Sequence, residues 1–372
     1  MKKISASFIA LSILLTAFIS CSKPENKDNN TANGFDKSAM LVSYADNLIL
    51  PAYTLMQQKI AALQTASDAF VANPNTSTQA ALKTAYNEAH LQYIRIATFN
   101  FGPAENVLLD NYLNFSGGLD YSFTTDGELT GFSVDTNSIN NNISSGVYNL
   151  EMLTRSAFYS QGFPALNYLY FGNDALSKMD SKRAKYINDL LARMKTLVDK
   201  VATDWLGYRA TFVGNTQTSS GSPIAFMVNQ LAYQLDLLKG PRIGWPLGKQ
   251  SNGKVFETKC EAYYAGVSMT LAVENLNSIK RLYTGNNVSG KGLSDYLIAL
   301  KQSTLNTDVL TQFDVALAKL KAIPDPLSNS LLTQASKVDE AYKEIQKLVT
   351  LMKTDVASAT AVQISYADND GD

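Results

Sequence analysis

Few side chains in this sequence could do acid–base or metal chemistry together. His90 is the sole histidine, and Cys21 and Cys260 are the only cysteines. A zinc site built on several histidines is excluded, as is any Ser-His-Asp triad that does not use His90. Two cysteines build no disulfide framework. What remains is a set of carboxylates and amides near glycines. Glu105 follows Gly102-Pro103, where an acid can meet backbone N–H groups at a helix start or line a cleft. Asp120 closes the run Ser116-Gly117-Gly118-Leu119-Asp120, a setting for an Asx-turn or a ligand contact. Asn167 and Tyr168 lie in the block Gly162-Phe163-Pro164-Ala165-Leu166-Asn167-Tyr168. A polar residue facing a helical interior either bonds neighbouring backbone or meets a ligand. The rings Tyr159, Phe163, Tyr168, Tyr170 and Phe171 around it are aromatic core or the lining of a cleft.

Other candidates read as structural. His90 sits between Tyr86 and Tyr93 on a helical stripe and reads as a structural or surface histidine. Cys260 reads as a small buried apolar residue, with no basic partner in sight to favour a thiolate. Arg95 and Arg155 read as structural or surface ion-pair partners. The tail Asp368-Asn369-Asp370-Gly371-Asp372 has the opening of a calcium-binding EF-hand loop, but the chain ends before the later glutamate. It reads as an acidic terminus.

The elements that must position these residues are helices. Apolar residues recur three or four apart at Leu82, Tyr86, Ala89, Tyr93 and Ala97, and at Ile187, Leu190, Met194, Leu197 and Val201. The same period runs through Ile224, Met227, Leu231, Leu235 and Leu238, through Met269, Val273, Leu276, Ile279 and Tyr283, and through Val338, Tyr342, Ile345, Val349 and Met352. Each is one face of an amphipathic helix. Pro74, Pro223, Pro241, Pro246, Pro324 and Pro326 fall between stripes, where helices should stop. Pro51 falls in a helical stretch, as a kink or near a start. Residues 241–253 read as a loop. Short aromatic runs around Asp126-Gly127 suggest a small hairpin or loop insertion near 115–135. The expected fold is all-α, with the helices in two bundles of four-helix type.

Composition agrees. The chain has 372 residues, 45% hydrophobic and 17% charged, enough for about two domains with a sizeable core. The expected division is 1–20 as a signal peptide, 21–37 as a flexible tether, 38–175 as the first bundle and 176–372 as the second. Met1-Lys2-Lys3 followed by the uncharged stretch to Ser20 has the form of a secretory signal. Phe18-Ile19-Ser20-Cys21 has the form of a lipobox, with Phe18 where leucine is usual. The polar run from Ser22 to Asn30 would then tether a folded domain off the membrane through lipidated Cys21. Without residues 1–20 the charge count is 30 basic against 33 acidic, so no strong field draws nucleic acid. After residue 20 no apolar run is long enough to span a bilayer.

Several blocks, in order along the chain, resemble the imelysin family of bacterial envelope proteins. They are Phe99-Asn100-Phe101-Gly102-Pro103-Ala104-Glu105 with Asn114 and Asp120, Gly162-Phe163-Pro164-Ala165-Leu166-Asn167-Tyr168-Leu169-Tyr170-Phe171-Gly172, and the C-terminal stretch from Asp355. Gly244-Trp245-Pro246-Leu247-Gly248 and Glu261-Ala262-Tyr263-Tyr264 are smaller echoes. The resemblance implies two packed helical bundles with a cleft, and a place in the cell envelope. Some proteins of this type are classed as metallopeptidases and others are linked to iron uptake. The family's mark, Gly-x-His-x-x-Glu, falls on Gly162 to Asn167, with Pro164 in place of the histidine and Asn167 in place of the glutamate. Neither supplies an imidazole or carboxylate for zinc or iron, or a general base for a metal-bound water. The expectation is therefore a lipid-anchored, non-catalytic binding protein at the outer membrane, on its periplasmic face or at the cell surface, in iron or nutrient uptake. Its cleft candidates are Glu105, Asp120, Gly162, Pro164, Asn167 and Tyr168. No resident cofactor is expected. Its partners would be the membrane and a small ligand, a metal or an envelope protein, with no nucleic acid. Two alternatives stand beside it: a metallopeptidase with a site rearranged around Glu105, Asp120 and His90, and a structural, partner-binding subunit.

Overall fold

The apolar stripes fold as helices. The structure, a computed structural model, describes residues 34–115 and 134–366, with backbone pairing also at 31–32, 122–123 and 129–130. Cys21, Asp120, the expected signal peptide and the acidic tail lie outside the described residues.

The principal helices are α1 (Lys37–Tyr44), α2 (Leu50–Ala72), α3 (Thr76–Ile96), α4 (Thr136–Ser145), α5 (Gly162–Phe171), α6 (Ser181–Gly214), α7 (Pro223–Leu237), α8 (Ser268–Thr284), α9 (Ser303–Lys321) and α10 (Ala335–Thr350). The five stripes fall on α3, α6, α7, α8 and α10, and their residues are buried except for half-buried Val273 and Tyr342. The small hairpin is present as well: Ser122 pairs with Thr130 and Phe123 with Leu129, antiparallel.

The helices pack in two groups. In the first, α2 lies along α3 and α6, and α5 packs on α6. In the second, α9 lies against α8 and α10, and α7 contacts both α8 and α10. The groups meet where α3 lies against α8. The expected break at 175/176 precedes α6, yet α6 packs with the N-terminal helices. Its long apolar face, including Ile187, Leu190, Met194 and Trp205, finds its partner in α2, so the first packing group extends to Gly214. Among the described residues no helix is long and apolar enough to cross a membrane.

Proline placement departs from expectation in one region. The segment 241–247, read as loop, is helical: α7 runs on through a widened π-type turn (Leu238–Gly244) into Trp245–Leu247. A widened turn tolerates the missing N–H of Pro241, because the ladder there is already out of its ordinary spacing. The helix ends at Gly248, at φ +87°. A similar wide turn (Ala45–Ile49) joins α1 to α2 just before Pro51.

Candidate functional site

At the junction of the two groups lies a cavity of about 250 Å³. His90 from α3, Asn114 and Phe115 after the short helix Leu109–Asn114, Pro164 and Asn167 from α5, Arg242 from the π-type turn, and residues 258–264 line it. The site therefore draws on both packing groups, and its geometry depends on how α5 and the 258–264 segment are held.

Gly162 fixes the entry of α5. Its φ is +68°, and a β-carbon there would be driven into the carbonyl oxygens of Leu113 and Tyr112. Only glycine lets α5 press this closely on Leu109–Asn114. Pro164 falls in the first turn of α5, where a missing N–H costs little. Asn167 then ties α5 to the opposite wall: its Oδ1 accepts the Tyr264 N–H at 2.9 Å. Tyr168 points elsewhere. Its hydroxyl exchanges hydrogen bonds with Asn140 of α4, and the Arg183 guanidinium lies over its ring.

The polar centre of the cavity is Glu261. Its Oε2 accepts from Arg242 Nε at 2.8 Å, and its Oε1 accepts from Asn114 Nδ2 at 2.7 Å. His90 Nε2 stands 3.5 Å from the same Oε1, beyond good hydrogen-bond geometry. Burial works against the Glu261 charge, but the Arg242 guanidinium, His90 and Asn114 hold its carboxyl well below the usual range. The His90 ring stacks on Phe163, 4.4 Å between centroids, and meets Tyr86 edge to face. Only 1% of His90 is exposed, and neither ring nitrogen has a hydrogen-bond partner. Asn167 Nδ2 and Arg242 Nη1 are likewise buried without partners.

A second cavity, of about 130 Å³, shares Asn114, Phe115 and Arg242 with the first and is also lined by Tyr93 and Asp110. Tyr93 donates its hydroxyl to Asp110 Oδ1 at 2.8 Å. Burial pushes the Asp110 carboxyl up to about 6, with Tyr93 and Arg242 pulling the other way.

The expected cleft residues are thus separated. Pro164 and Asn167 line the cavity, Gly162 shapes it from beneath, Tyr168 packs beside it, and Glu105 is exposed on the short helix Pro103–Asn106, near Tyr208. Cys260 lines the cavity, but burial pushes its thiol up, away from the nucleophilic thiolate, and the thiol donates to Glu257 O at 3.3 Å. Arg95 holds Glu274 together with Arg281, which makes it a structural ion-pair partner. Arg242 and Glu261 are the paired polar residues of the cavity that the sequence does not single out: Arg242 falls in a segment that reads as a loop, and Glu261 in one of the smaller family echoes.

The residues present do not fit the metal that the family resemblance implies. Among the described residues no group of three His, Cys, Asp or Glu side chains gathers to hold an ion. The one imidazole–carboxylate pair, His90 and Glu261, has its carboxylate already engaged by Arg242 and Asn114. A divalent cation at Glu261 would meet the guanidinium charge within a few ångströms, at a cost that low-dielectric surroundings enlarge.

Comparison with known proteins follows the same lines. The fold is shared by a structure named as an iron-regulated protein A precursor from Parabacteroides distasonis, with a TM-score of 0.69 and 18% identity over 87% of this chain and 94% of that one. It is shared also by an imelysin-like protein from Psychrobacter arcticum, with a TM-score of 0.72 and 17% identity over 89% of this chain and 97% of that one. No curated protein matches. The model of the imelysin family matches residues 49–355, most of the sequence, and the chain belongs to that family.

Proposed function

We propose that this protein is an exported, lipid-anchored member of the imelysin family that binds a small ligand in the cavity beside Pro164 and Asn167 and cleaves no peptide there. The observation that carries the reading is the pairing of Glu261 with Arg242 at 2.8 Å. It commits the carboxylate that, among the described residues, pairs with His90 to a guanidinium, where a metallopeptidase would need that carboxylate for a metal or for a metal-bound water. The replacement of the family's motif residues by Pro164 and Asn167 supports the same conclusion. A concave site with apolar walls and a few converging polar groups is the usual form of a ligand pocket. The name of the Parabacteroides neighbour, an iron-regulated protein, supports an iron-related role, and the Lys2-to-Cys21 leader supports attachment to the envelope.

The test is a peptidase assay on the purified full chain, with a mixed peptide library, in the presence of zinc and then of a chelator. No cleavage above a heat-denatured control is expected under either condition. Cleavage that zinc restores and the chelator abolishes would overturn the reading.

A further inference from the structure

Resting on that ligand-binding reading, we propose that the cavity takes a small organic carboxylate, held by Arg242, Asn167 and His90, with its apolar body against Phe115, Pro164 and Tyr264. Among the described residues that line the cavity, several buried nitrogens stand without a hydrogen-bond partner. A guanidinium carries five N–H donors, and each side-chain amide carries two. Glu261 engages one Arg242 nitrogen and one Asn114 nitrogen. The Asn167 oxygen is taken by the Tyr264 N–H. That leaves Arg242 Nη1, Asn167 Nδ2 and the His90 ring nitrogens buried without a hydrogen bond, on side chains 7%, 2% and 1% exposed, with His90 Nε2 still 3.5 Å from Glu261 Oε1. Buried donors without acceptors are costly, and a ligand that supplies acceptors relieves the cost.

The shape and charge narrow the ligand further. Phe115, Val134, Pro164, Pro241, Tyr263 and Tyr264 give the cavity an apolar wall, and about 250 Å³ admits one ring or a short chain. Cations are disfavoured because both oxygens of Glu261 are already engaged and Arg242 stands beside them. Another carboxylate, Asp110, lies in the neighbouring cavity and takes the Tyr93 hydroxyl. A guanidinium matches a carboxylate with two parallel N–H donors, the strongest pairing these groups can offer.

Calorimetric titration of the full chain at pH 7 with benzoate, benzamide and inorganic phosphate tests this. Benzoate is expected to saturate one site, with benzamide and phosphate each about tenfold weaker or more. The double variant Arg242→Gln with Glu261→Gln, which removes the charges as a pair, should weaken benzoate about tenfold at unchanged helical circular dichroism. Asn167→Leu leaves the ion pair intact and should weaken it about threefold. If the double variant fails to fold, Asn167→Leu decides: unchanged benzoate affinity overturns the proposal. So does failure of benzoate to saturate, benzamide binding as tightly as benzoate, or phosphate matching it. Tight benzamide binding would sink the carboxylate and leave the ligand-binding reading intact. Chelator-sensitive cleavage in the peptidase assay would instead sink that reading.

Discussion

Glu261 and Asp110 show how the same guanidinium serves two carboxylates that respond to pH in opposite senses. Asp110 has its folded-state pKa raised from 3.8 to about 6, chiefly by burial. Below 3.8 both folded and unfolded chains hold the proton and the residue costs nothing. Between 3.8 and about 6 the unfolded chain loses it first, so stability falls as pH rises, and above that window the cost is complete. Asp110→Asn keeps an acceptor for Tyr93 and should raise stability at pH 7 by about 2 kcal/mol, discounted for partial exposure, and flatten this slope. Chemical denaturation at pH 4 and pH 7 measures both effects; equal gains at the two pH values would contradict the assignment. Glu261 behaves oppositely. Its depressed pKa contributes stability that is present above 4.5 and lost as pH falls below it. Glu261→Gln leaves Arg242 buried without its counter-charge and should destabilise the fold by about 3–5 kcal/mol, whereas the paired Arg242→Gln and Glu261→Gln change should recover much of that loss. Melting of the three proteins side by side would show whether the two positions couple; additive losses would mean that they do not.

At the scale of elements, the cavity depends on the segment that leads into α8. Asp325, from a distant turn, caps that helix: its Oδ1 accepts from Met269 N at 2.7 Å, and its Oδ2 from Thr270 N at 3.0 Å and Thr270 Oγ1 at 2.7 Å. Ser268 Oγ donates to the Glu261 carbonyl at 2.5 Å, which links the helix start to the residue at the centre of the cavity. Asp325→Ala should cost about 1–2 kcal/mol, as loss of an N-cap does, and should loosen the 258–264 wall. Hydrogen exchange would report it as faster exchange at Met269, Thr270 and Tyr264; unchanged protection at Tyr264 would separate the cap from the cavity. Most helices were legible in the sequence because a buried face repeats its apolar residues at the helical period, as from Leu82 to Ala97 and from Ile187 to Val201. The helicity of 241–247 was not legible, because proline signals a stop unless a widened turn accommodates it. Arg242 was hidden by that misreading.

For the whole molecule, two helical groups follow from the stripes, whereas the cleft between them and the candidates Pro164 and Asn167 follow from the family resemblance. The cavity's chemistry is not legible, because His90 lies on an element far along the chain from Arg242 and Glu261, and only tertiary packing joins the three. Asn167 is visible as a candidate because it occupies a motif position; His90 reads as structural because it lies on a helical stripe between Tyr86 and Tyr93. The proposed attachment to the envelope rests on Cys21. Cys21→Ala should move the protein from the membrane fraction to the soluble exported fraction with its melting temperature unchanged; retention in the membrane fraction would mean that something other than a lipid holds it.

The proposed binding site can be watched through a single side chain. His90 is the only histidine in the chain, so ¹⁵N,¹³C-histidine labelling of the untagged protein gives one imidazole, inside the cavity. The expected result is that this signal shifts on titration with benzoate and stays in place on addition of equimolar zinc. A stoichiometric shift with zinc, together with none from benzoate, would contradict the claim that this cavity binds an anionic ligand rather than a catalytic metal.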